Sequence, residues 1–229
     1  MNKKKGLIKK IMLGITGLII LFILIVFINL LITGHAGSVI TKGLPIESYT
    51  HPGSALLVID IQEATTGNLS MTPFFKEKSG EFIKNINRVI DSCKTHDILI
   101  VLIRNEISNP LINLVNNSYA KGSPGAQFDK RLNTTSGIEV IKRAMDSFKN
   151  TDLDSLLTVN KVSKLYIVGL DAADCINATV EAAQNRKYNV NLIKEAILSE
   201  TAETRDSMLG VFKNKGVNVL HIESLEVTE

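Results

Sequence analysis

Three residues of this sequence have types and contexts that suit covalent chemistry. Cys175 follows the apolar run of residues 164–170 and opens a segment with helical spacing, which puts it at or near a helix N-terminus. Unpaired N–H groups there favour a thiolate and can receive the oxyanion formed when it attacks a carbonyl. A buried structural thiol is the competing reading of that position. Asp60 closes the apolar run Ala55-Leu56-Leu57-Val58-Ile59. A carboxylate there is costly to bury without a partner or a task, although capping the next turn is a second use for it. Lys142, after the short apolar run 138–141, means nothing by itself, since most lysines are solvated. Placed beside a Cys and an Asp, it would supply the positive field that stabilises a thiolate while the Asp accepts the thiol proton.

The elements that must position these residues alternate along the chain. Continuous apolar runs at 55–59, 98–103 and 164–170 predict strands covered on both faces, with shorter candidates at 138–141, 190–193 and 217–221. Helical spacing predicts helices over 82–93, 153–159, 175–186 and 204–214. Strand and helix in alternation mean right-handed crossovers, so the expected class is α/β: a three-layer α/β/α domain with a mostly parallel, Rossmann-like sheet of about six strands. Ligands of such sheets bind outside the carboxyl ends of the strands. That rule selects Asp60, Arg104 and the turn 171–175. The polar stretch 104–136 is long enough to be a functional loop. Arg104 could hold a substrate carboxylate bidentately, with an ion pair as its other use, and Phe74, Phe75, Tyr119 and Phe128 are candidates for a pocket wall or for packing.

Ahead of this domain, residues 11–33 carry no charge, and Asn29 and two Thr are their only polar side chains. As a helix they span roughly 34 Å, enough to cross a bilayer. The expected organisation is a basic tail at 1–10, a transmembrane helix at 11–33, a Gly- and Pro-containing linker at 34–53 and the folded domain at 54–229. Lys3, Lys4, Lys5, Lys9 and Lys10 all precede the apolar run, which keeps the N-terminus inside and places the domain on the extracytoplasmic side of a single-pass protein. A cleaved signal peptide is the alternative, disfavoured by the length of the apolar run. The formal charge of +3 resides in that tail; the remainder is slightly acidic, which argues against nucleic acid as a partner and for a lipid bilayer. Cys93 and Cys175 are too few for a disulfide framework.

The runs Leu57-Val58-Ile59-Asp60-Ile61-Gln62 and Gly122-Ser123-Pro124-Gly125-Ala126, then Lys142 with Ser147-Phe148 and Thr151-Asp152-Leu153, and Val168-Gly169-Leu170 with Cys175-Ile176 and Thr179, resemble the isochorismatase-like cysteine hydrolases. The resemblance covers roughly residues 54–200. It implies a catalytic triad of Asp60, Lys142 and Cys175, and a non-proline cis peptide at Leu170-Asp171. It also implies an oxyanion site among the N–H groups of Leu170, Asp171, Ala172 and Asp174, and a small-molecule pocket to which Gln62, Arg104, Tyr119, Phe128 and Phe148 contribute. Nicotinamidases of this family carry a metal site of Asp and His; the matching region here has no His, so neither a metal nor another cofactor is expected. The resemblance further implies a homo-oligomer and hydrolysis of a C–N bond in a small amide, imide or carbamoyl compound through a thioester. A catalytically silent binding or scaffold module of the same fold at the membrane is the alternative.

Overall fold

The structure is a computed structural model, and it describes residues 2–226. The first residue of the expected basic tail and residues 227–229 of the expected domain lie outside the described residues. The chain begins with helix α1 (Asn2–Ser38). After a connecting segment come β1 (Gly53–Ile59), α2 (Pro73–Thr95), β2 (Leu99–Asn105), the short α3 (Pro110–Val115), β3 (Ile138–Lys142) and α4 (Leu153–Val159). Then follow β4 (Val162–Gly169), α5 (Cys175–Asn185), β5 (Asn189–Ile197), α6 (Ala202–Asn214), β6 (Asn218–Leu220) and α7 (Glu223–Glu226).

The six strands form one parallel sheet in the order β3-β2-β1-β4-β5-β6. Because successive strand side chains point to opposite faces, β1 divides its apolar run between two cores. Ala55, Leu57 and Ile59 join the cluster that holds Leu153 and Leu157 of α4, Ile176 and Val180 of α5 and Phe212 of α6. Leu56 and Val58 join the cluster formed by Phe82, Ile83, Ile86 and Ile90 of α2. Helices therefore cover both faces, and the domain is a three-layer α/β/α fold. The crossovers leave β1 in opposite directions, which makes the carboxyl ends of β1 and β4 the switch point where a cleft must open.

The helix over 82–93 begins earlier than its apolar spacing indicates, at Pro73, since the first turns are exposed and carry little apolar signal. Within the stretch 104–136 the structure adds α3, whose N-terminus is capped by the Asn109 side chain accepting from the Leu111 and Ile112 amides. The expected linker at 34–53 differs most. Helix α1 continues through Ser38, and residues 39–52 dock onto the domain. Ile40 and Ile46 pack against the core, the Ile46 amide donates to the Arg186 carbonyl at 2.8 Å, and Thr41 donates to Asp146. Two isoleucines among the glycines make this segment a strap rather than a free tether. The stretch from Lys5 to Ser38 is long and apolar enough to cross a membrane, with mean hydropathy reaching 3.2.

Gly169 ends β4 with φ +128°, and a Cβ there would lie 2.2 Å from the Ile59 carbonyl oxygen. The close approach of the two strand ends on either side of the switch point thus requires glycine. Gly169→Ala is expected to destabilise the domain by about 2 kcal/mol or more, read as a lowered midpoint in urea denaturation.

Candidate active site

The carboxyl ends of β1, β3 and β4 bring three side chains together. Asp60, the residue after β1, adopts φ +60°, and its turn is locked by the Thr65 hydroxyl donating to the Asp60 carbonyl at 2.6 Å. Lys142, the last residue of β3, lies two strands away, roughly 10 Å at the usual strand spacing, and its long side chain runs back beneath the cleft. It is fully buried. Its ammonium donates to Asp60 Oδ2 at 2.8 Å, to Cys175 Sγ at 3.0 Å and to the Ala144 carbonyl at 3.2 Å, so all three N–H groups are used. Cys175 is the first residue of α5 and partly exposed, while Asp60 Oδ1 is buried with no hydrogen-bond partner. A free carboxylate acceptor beside a thiol is the arrangement that proton removal needs.

The electrostatics differ from the simple helix-terminus argument. Burial, and next the Asp60 carboxylate, push the Cys175 thiol up to about 12 against the opposing pull of Lys142. The resting sulfur is therefore a thiol. Burial works to lower the Lys142 pKa, but the Asp60 carboxylate, together with the hydrogen bonds to Asp60 and Cys175, outweighs it and holds the ammonium charged. Tyr119 is pushed up to about 12, by burial first and then by the Asp60 carboxylate, so its hydroxyl is neutral.

The turn between β4 and α5 contains a cis peptide at Leu170-Asp171. Most of its amides are already engaged. Leu170 donates to Ile59, Ala172 to Leu198, Asp174 and Ile176 to the Asp171 carbonyl, and Ala173 to the Asp171 carboxylate. Leu170, Ala172 and Asp174 thus do not serve as free donors; among the described residues the amides of Asp171 and Cys175 are the ones left without an acceptor.

Of the pocket candidates, Gln62 is fully buried and spent. Its amide nitrogen donates to the carbonyls of Asn105 and Ala126, and its oxygen accepts from the Asn105 amide. Arg104 is paired with Glu106 at 2.7 Å and with Glu139, and its guanidinium lies 6.0 Å from the Phe128 ring. Phe148 belongs to the core, 6.0 Å from the Tyr188 ring and 4.3 Å from the Arg186 guanidinium. Phe75 is buried core, and Phe74 packs against the α2 cluster. These side chains support the cleft instead of lining it.

The cavity itself, about 570 Å³, has Lys142, Cys175 and Asp174 at its base. One wall is built from Asn105, Glu106, Ile107, Asn109 and Ile112. Glu106 Oε2 is buried there without a hydrogen-bond partner. The opposite wall comes from α1: Leu30, Thr33, Gly34 and Gly37. Asn109 joins the two walls by donating to Asn29 Oδ1 at 2.9 Å and to Thr33 Oγ1 at 3.1 Å. Sequence reasoning missed this wall. Its available signal was Asn29 and Thr33, two polar residues four apart on one face of an otherwise apolar run. It also missed Asp146, fully buried, which accepts from the Phe148 amide and from Thr41 and so ties the strap to the loop after Lys142.

Comparison with known proteins places these features in context. The family model of the isochorismatase domain matches residues 54–224. A protein of Arabidopsis thaliana named a probable inactive nicotinamidase is 29% identical over 182 residues, covering 72% of this chain and 90% of its own. The N-carbamoylsarcosine amidase of an Arthrobacter species is 26% identical over 158 residues, 63% of this chain and 60% of that enzyme. Among solved structures, an isochorismatase-like hydrolase from Alkaliphilus metalliredigens superposes with a TM-score of 0.67 at 20% identity, over 77% of this chain and 99% of its own.

Removing the ammonium would strand a buried carboxylate. Lys142→Met is expected to cost about 3–5 kcal/mol of stability, and adding Asp60→Asn to that variant should recover part of the loss in urea denaturation. The raised thiol pKa gives a second test. Alkylation of Cys175 in the free protein should keep accelerating with pH up to at least about pH 10, whereas a plateau below neutrality would reveal a resting thiolate.

Proposed function

Since the chain belongs to the isochorismatase family, we propose that it is a membrane-anchored cysteine hydrolase that cleaves a C–N bond of an amide, imide or carbamoyl compound through a thioester on Cys175. The observation that carries this reading is the buried contact of Lys142 with both Asp60 and Cys175. A silent scaffold would have no use for a fully buried lysine whose charge must be compensated on every side. The comparison with N-carbamoylsarcosine amidase supports C–N chemistry. Glu106 Oε2, on the cavity wall with no hydrogen-bond partner and 4.0 Å from the Arg143 guanidinium, is suited to accept an N–H of such a substrate.

Asp60 Oδ1 takes the thiol proton as the carbonyl carbon arrives, and Lys142 stabilises the thiolate during attack. A C–S bond forms, and the oxyanion is received by the amides of Asp171 and Cys175. The proton held by Asp60 passes to nitrogen as the C–N bond breaks, and ammonia or an amine leaves. Asp60 then removes a proton from water, which attacks the thioester, releases the carboxylic product and returns the proton to sulfur. Helix α1 anchors the domain, with Lys5, Lys9 and Lys10 at the inner face of the membrane.

Ammonia release from a panel of amides, measured with the full chain in lipid nanodiscs, tests this. Cys175→Ala should abolish turnover and Asp60→Asn should lower kcat by about 10²–10⁴-fold. Turnover that survives Cys175→Ala would overturn the assignment.

A further inference from the structure

The apolar helix and the catalytic cleft share a wall, and this carries an inference that rests on both the hydrolase and the anchor readings. From Lys5 to Ile25 α1 is exposed; beyond that one stripe, Val26, Leu30, Thr33 and Gly37, becomes partly covered. Those positions share one helix face. The stripe faces α3 and the segment before it, held by Asn109 bridging to Asn29 and Thr33. Leu30 and Thr33 line the cavity that holds Cys175.

A hydrocarbon core about 30 Å thick takes about 20 residues of helix at 1.5 Å each. Counted from Ile11, directly after Lys10, it ends at Leu30. The cavity mouth therefore lies at the boundary between hydrocarbon and water. The neighbouring α3 fits that depth: residues 107–120 carry no charge, and Leu114 and Val115 project with 68% and 65% of their surface exposed. Such side chains are stable in the headgroup boundary and costly in water.

We propose that the active site takes its substrate from the bilayer: a carboxamide with a hydrocarbon tail, its carbonyl at Cys175 and its tail passing Leu30 and Ile112 into the lipid. The thiolate adds to the carbonyl carbon, the C–N bond breaks and the nitrogen leaves as ammonia with the proton from Asp60. Water then cleaves the C–S bond, and the fatty carboxylate returns to the membrane.

The chain has no tryptophan, so Leu114→Trp supplies a single reporter in the full-length protein in nanodiscs. Its emission should be quenched by lipids brominated high on the acyl chain and shielded from aqueous iodide. In the same nanodiscs kcat/KM should rise by about tenfold or more from acetamide to dodecanamide, because each methylene removed from water adds driving force. Emission open to iodide and untouched by brominated lipid would overturn the placement at the bilayer. Equal turnover of short and long amides would overturn the substrate class while leaving the hydrolase reading intact. No turnover of any amide, with the tryptophan quenched by lipid, would overturn the hydrolase reading and this substrate with it.

Discussion

A single buried ammonium organises the site. Lys142 has no contact with water, and a charge so placed is tolerated only if each of its N–H groups finds an acceptor. The acceptors come from three separate parts of the chain: the carboxylate after β1, the sulfur at the start of α5 and the Ala144 carbonyl just beyond β3. Satisfying one cation thus fixes the relative positions of three loops. The surrounding ties follow from that need. Ser147 and Thr179 join hydroxyls at 2.8 Å to hold the β3 loop against α5, and Asp146 clamps the same loop to Thr41. Gly169 lets the ends of β1 and β4 approach closely, which brings Asp60 and the turn after β4 to the same end of the sheet.

Much of this was legible in the residues because the central strands are buried on both faces and read as unbroken apolar runs. Strand ends of a parallel sheet are where a cleft opens, so Asp60 and the turn 171–175 stood out without any knowledge of side-chain direction. Direction is what sequence withholds. Gln62 and Arg104 occupy similar strand-end positions, yet Gln62 is turned onto two backbone carbonyls and Arg104 onto Glu106 and Glu139. Phe148 was drawn toward the site by its motif but packs beneath it. Residues 34–53 look like a free linker by their glycines and prolines. The docking of that segment depends on Ile40, Ile46 and Thr41 finding a complementary surface, which only the folded domain supplies. The amide donors were likewise a matter of competition within the turn, decided by acceptors as distant as Leu198 and Ile59.

The ionisation of the Cys175 thiol is set by more than its helix terminus. The N-terminus of α5 does favour negative charge at Cys175, but desolvation and the neighbouring Asp60 carboxylate act in the opposite sense and, against the pull of Lys142, push the thiol up to about 12. The thiol with its raised pKa lies beside the Lys142–Asp60 ion pair. In the proposed mechanism, a substrate that displaces water and presents a carbonyl to the Asp171 and Cys175 amides creates the acceptor for the charge that leaves sulfur. Nucleophile activation is then coupled to occupancy of the cleft.

That coupling bears on where such an enzyme can operate. Oxidation of cysteine follows thiolate character and exposure. A permanently ionised thiol is the form that oxidants consume, whereas a thiol with a raised pKa, partly covered and beside Leu30 and Thr33 of the apolar helix, is less open to that reaction. The covering of the cleft by α1 residues thus also limits the reactivity of the thiol in the free protein. It also explains why Asn29 interrupts the apolar run of α1: one amide, bonded to Asn109, holds the helix over the cleft it shields.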